Sequence, residues 1–75
     1  MVDTEKLRGI IAEKGMSQRK VAQKLGMTEK TFYAKMKKGV FDSDEMSEMA
    51  SMLSIADPGA IFFAGFGTSY ATKQD

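Results

Sequence analysis

Gln18 to Lys38 reads QRKVAQKLGMTEKTFYAKMKK, and the pattern of apolar positions in this stretch decides the fold. Val21, Ala22 and Leu25 share one face of a short first helix. Gly26 supplies the left-handed backbone that ends such a helix cheaply. Met27 and Thr28 lead into TEKTFYAKMKK, where Phe32 and Met36 lie four residues apart and the other side is polar and basic. Two helices joined by a turn of about three to four residues with a glycine form the unit that seats its second helix in a DNA major groove.

The same start signal recurs outward in both directions. An apolar residue precedes a capping residue, and a second apolar residue follows four positions after the cap. The instances are Val2-Asp3 with Leu7, Met16-Ser17 with Val21, Met27-Thr28 with Phe32, Phe41-Asp42 with Met46, and Ala56-Asp57 with Ile61. The cap accepts from a free N–H of the first turn, and the apolar pair closes over it as a staple. Asp42 and Glu45 add a reciprocal capping pair, and Pro58 stands at a first helical position, where its missing N–H is no loss. These starts predict five helices, at about 4–14, 18–25, 29–38, 43–54 and 58–64. Leu7, Ile10 and Ile11 give the first its buried stripe, which Gly15 ends. Met46, Met49, Ala50 and Leu53 give the fourth its own. No stretch alternates with a period of two. The expected fold is all-α, a compact five-helix domain over residues 1–64, followed by a short C-terminal tail, 65–75.

Composition narrows the chemistry. A chain of 75 residues, 43% of them hydrophobic, can build one small core. It holds neither cysteine nor histidine, which removes disulfides, thiol chemistry, zinc-finger ligand sets and the commonest general base. Gly65-Phe66-Gly67-Thr68-Ser69 lacks the lysine of a phosphate loop. No enzymatic activity, cofactor, metal or small-molecule ligand is expected. No apolar run approaches the roughly 20 residues that span a bilayer, and the N-terminus is unlike a signal peptide, so no membrane partner is expected either. The net charge of +1 conceals an asymmetry: residues 1–40 carry ten Lys/Arg against four Asp/Glu, and residues 41–75 carry one against six. Such a basic half suits a polyanion; the plainer reading is a solvated basic face.

On a helical wheel Glu29, Lys30, Tyr33, Ala34 and Lys37 share one face of the third helix, opposite Phe32, Met36 and the stem of Lys35. Lys30 can donate to guanine O6 or N7, Glu29 can accept from cytosine N4, and Ala34 can meet a thymine methyl. Tyr33 can reach a phosphate or stack. Phosphate contacts are assigned to the start of the second helix, at Ser17, Gln18, Arg19 and Lys20, and to Lys37 and Lys38.

The segment MSQRKVAQKLGMTEKTFYAKMKKG resembles the helix-turn-helix of the lambda-repressor-like and Cro-like phage regulators. The likeness lies in the succession Ser17-Gln18, Val21-Ala22, Leu25-Gly26-Met27-Thr28, Phe32 and Gly39, and in the acidic start of the following helix. Asp57-Pro58-Gly59-Ala60-Ile61-Phe62-Phe63 resembles the final short helix of small members, so the likeness covers about residues 3–64. It implies sequence-specific binding of a double-stranded, palindromic operator by a homodimer that regulates transcription, often as a repressor, in the cytoplasm at the nucleoid. In that family the glutamine matching Gln18 buttresses the reading helix and touches the backbone. The positions matching Glu29, Lys30 and Ala34 face bases. This chain departs from the pattern twice. Lys35 falls where an apolar residue is usual, with Met36 taking over one position later, so the end of the reading helix is expected to be rotated or a residue longer. Acids at Asp42, Asp44 and Glu45 open the fourth helix, where the family often approaches phosphate.

The rival function is a protein-interaction module, an antitoxin or anti-repressor, on the same fold with reduced DNA binding. The clustered aromatics near the C-terminus bear on pairing. Phe62 or Phe63 is expected in the core, and Phe66 or Tyr70 at a two-fold contact.

Overall fold

Each of the five apolar–cap pairs opens a helix. In the computed structural model, which describes residues 1–63, α1 spans Thr4–Glu13, α2 Gln18–Lys24, α3 Glu29–Lys38, α4 Ser43–Met52 and α5 Pro58–Phe62. No strand occurs among the described residues, and the fold is all-α. Expectations for the 65–75 tail, with Phe66 and Tyr70 at a two-fold contact, lie outside the described residues.

Every expected cap is made. The Asp3 carboxylate accepts from the Lys6 N–H at 3.1 Å, the Ser17 hydroxyl from Lys20 at 3.1 Å, and the Thr28 hydroxyl from Thr31 at 3.1 Å. Asp42 accepts from Glu45 at 2.8 Å and Asp57 from Ala60 at 3.4 Å. Glu45 returns the favour to the Asp42 N–H at 2.9 Å, which completes the capping box.

The ends of the first four helices share one hydrogen-bond pattern. Past α2 the Met27 N–H reaches the Ala22 carbonyl and the Gly26 N–H that of Gln23, both at 3.0 Å. The same paired closure follows α1 (Met16 to Ile11, Gly15 to Ala12), α3 (Val40 to Lys35, Gly39 to Met36) and α4 (Ile55 to Ala50, Ser54 to Ser51). It requires one left-handed residue. Gly15, Gly26 and Gly39 fill that place at φ between +71° and +76°, and Ser54 does so at +51°. Because Ser54 is the left-handed residue, α4 stops at Met52, short of the expected end at 54.

One core serves all five helices. Leu7, Val21, Ala22, Phe32, Met49 and Leu53 are fully enclosed, with Val2, Ile11, Met36, Phe41, Ile61 and Phe62 close behind. Ile10, expected in the buried stripe of α1, is only half-buried. Phe32 meets Phe41 at 5.6 Å between ring centres in a tilted arrangement, so the connection from α3 to α4 is held on the same core. The N-terminal residues strap the fold shut. Val2 donates to the Gly39 carbonyl at 3.0 Å and Asp3 to that of Ile61 at 2.7 Å.

Candidate nucleic-acid interface

The geometry of α3 follows from its two sides. Phe32 and Met36 are buried, and α2 packs against α3 with Val21 and Ala22 fully enclosed on its own inner side. The alanine lets the two backbones come close. Burying that side leaves Glu29, Lys30, Tyr33, Ala34, Lys37 and Lys38 exposed along the length of α3. Lys30, Thr31, Ala34, Lys35, Lys38 and Val40 line a single shallow depression, so the lysines one and two turns apart flank a small alanine. Thr31 and Val40 were not singled out from sequence. Thr31 could have been, since it precedes Ala34 by three residues.

The residues assigned to phosphate fall in two places. Ser17, Arg19 and Lys20 are exposed at the start of α2, and Gln18 is half-buried there. Lys20 shares a depression with Gly15, Met16, Ser17 and Lys24, which adds Lys24 to that basic group. The Ser17 hydroxyl is occupied in capping Lys20. At seven residues α2 is too short to give its N-terminus much of a dipole, so any anion there would be held by the side chains. Lys37 and Lys38 form the second group at the other end of α3, where cations also suit the helix's negative end.

Lys35 has a different task. Its ammonium lies 3.1 Å from one Glu45 carboxylate oxygen and 3.2 Å from the other. This is the one ion pair among the described residues, and it links α3 to the first turn of α4. A pair thus stands where the resemblance implies an apolar residue. Met36 is buried beside it, and α3 still ends at Lys38 with Gly39 as its left-handed stop, the end expected for residues 29–38. Of the acids that open α4, Glu45 is thereby engaged and Asp42 caps, while Asp44 makes no hydrogen bond or ion pair among the described residues.

The Tyr33 hydroxyl donates to Glu29 Oε2 at 3.0 Å. That hydrogen bond, with smaller effects of desolvation and of the carboxylate's charge, pushes the phenol above its usual pKa. A phenol has one proton to give, so while this bond stands Tyr33 donates to nothing else.

Exposed apolar side chains collect beside this face, with Val40 common to both. Met1, Val40 and Phe63 stand 75%, 60% and 46% exposed around one shallow depression floored by Val2, Phe41 and Phe62. Of Phe62 and Phe63, one of which is expected in the core, Phe62 is there and Phe63 lies outside it. Among the described residues no group of acids could hold a metal ion, and no helix is long and apolar enough to cross a membrane. The chain matches no protein-family model, no curated protein and no solved structure.

Proposed function

We propose that the chain is a sequence-specific double-stranded DNA-binding regulator of transcription, of the phage or prophage type, with α3 lying in the major groove. The observation that carries this is the division of α3. One side is fixed on α2 and the core, and the other offers Glu29, Lys30, Ala34 and Lys38 to solvent, with no helix over them among the described residues. On this reading Lys30 donates to guanine and Ala34 meets a thymine methyl. Arg19, Lys20, Lys24, Lys37 and Lys38 neutralise phosphates on either side, and half-buried Gln18 bonds a phosphate oxygen at the start of α2. The unpaired Asp44 makes α4 a poor phosphate contact, so positioning falls to the lysines. Two copies acting as a homodimer on a palindromic operator would set their α3 helices about 34–36 Å apart.

The second reading, an antitoxin or anti-repressor, draws on the apolar group of Met1, Val40 and Phe63, which a protein partner could cover. Selection from a randomised duplex library with the full chain separates the two. Enrichment of a palindromic site, with affinity that falls steeply as salt rises, supports the first reading. Failure to enrich any sequence at low salt overturns it.

A further inference from the structure

We infer that Tyr33 is a positioning residue for Glu29, and that the pair makes the protein select cytosine at one position of each half-site; the inference rests on the DNA-binding reading above. Tyr33 and Glu29 are four residues apart on the outer side of α3, and both are exposed. Oε2 of Glu29 accepts the phenol proton, and Oε1 has no partner among the described residues. A carboxylate carried into a groove walled by phosphates is repelled unless it meets a hydrogen-bond donor. The major groove offers two, cytosine N4 and adenine N6. Adenine sets the N7 acceptor beside its donor, and those lone pairs oppose a second carboxylate oxygen. Cytosine has only a C–H there. The guanine paired with that cytosine presents O6 and N7, both acceptors, and the next residue along the helix is Lys30.

Tyr33 makes this selective. A glutamate side chain turns about three bonds and would lose that freedom on binding a base. A tyrosine ring, with two torsions and a fixed length, holds one carboxylate oxygen beforehand and leaves the other to read. Tyr33 thus contributes to specificity without touching a base or a phosphate.

The test is randomised-duplex selection with the full-length wild type, Tyr33→Phe and Glu29→Gln. The expected wild-type site carries one cytosine per half-site that depends on Glu29. Glu29→Gln should move that position towards adenine, because an amide can donate to N7 and accept from N6. Tyr33→Phe should lower the cytosine preference there by about tenfold while the rest of the selected site persists. A folding defect would weaken every position together, so a loss confined to one position marks positioning. Wild-type preference retained in Tyr33→Phe, or cytosine retained in Glu29→Gln, overturns the inference and leaves the DNA-binding reading intact. No selected site for the wild type overturns both. An independent readout is the phenol itself. With Tyr70→Phe as background, Tyr33 should titrate above the usual tyrosine range and return to it in Glu29→Gln; no change on that substitution means the bond does not form in solution.

Discussion

Ser54 sits in the left-handed region at φ +51°, the place that Gly15, Gly26 and Gly39 fill at the other three closures. A side chain there crowds its own backbone, at a cost of roughly 1–2 kcal/mol for an L-residue. Ser54→Gly removes that strain and gives back part of it through a freer unfolded chain. The expected result is a net gain of about 0.5–1 kcal/mol in urea unfolding. The glycines should rank by what surrounds them. A Cβ on Gly26 meets nothing within 4 Å, so the loss there is one of backbone conformation alone. Asparagine tolerates that backbone and valine does not, so Gly26→Val should be less stable than Gly26→Asn. At Gly39 a Cβ would also stand 3.1 Å from Met1 Cγ and 3.4 Å from the Val2 carbonyl, whose strap holds the N-terminus. Thermal melts should therefore place Gly39→Ala below Gly26→Ala.

Between elements, Glu45 makes two connections at once, to the Asp42 N–H as a cap and to Lys35 as an ion pair. Glu45→Gln keeps an acceptor for the cap and loses the charge. Glu45→Ala loses both. Denaturant unfolding should give losses of about 0.5–1 kcal/mol for glutamine and about 1–2 kcal/mol for alanine. No loss for glutamine would mean that the ion pair contributes nothing, and equal losses that the returned cap contributes nothing. Ala22, fully buried where α2 meets α3, should tolerate no enlargement, and Ala22→Leu should destabilise by roughly 1–3 kcal/mol. These elements also show where sequence was legible. Helix starts depend on a cap and its staple within a few residues, so Asp3, Ser17, Thr28, Asp42 and Asp57 announced all five. The end of α4 did not announce itself, because the left-handed residue is a serine that any solvent-facing site could hold. Lys35 looked like an anomaly because its partner stands on the next helix, and periodicity within α3 cannot name a residue on α4. The exposed face of α3 followed from the wheel. The Glu29–Tyr33 bond did not, although the spacing allows it, because each of these side chains can equally well take a partner on DNA.

For the whole molecule, affinity and pairing are separate questions on the proposed reading. Affinity should rest on the lysines assigned to phosphate. Lys37→Ala or Lys38→Ala should weaken all sequences alike and reduce the slope of log affinity against log salt by about 1. Lys30→Ala should instead cost on the order of 1–3 kcal/mol at the selected site and relax one base position, while equal loss on a scrambled duplex would make it a phosphate contact. Pairing has its own logic. One copy places one helix in the groove, and a handful of side chains gives modest discrimination, which two half-sites multiply. On this reading the contact comes from the domain surface or from residues beyond Phe63. Met1, Val40 and Phe63 supply exposed apolar area on the domain, and Phe66 and Tyr70 follow Phe63 closely in sequence. Sedimentation of the full chain beside a variant ending at Ala64 divides these sources. The expected outcome is a dimer for the full chain and a weaker one for the shortened chain, with cooperativity on a palindromic duplex falling in step. If both sediment as monomers at high micromolar concentration and bind that duplex with the same cooperativity, Phe66 and Tyr70 have no part in pairing, and two copies meet only on DNA.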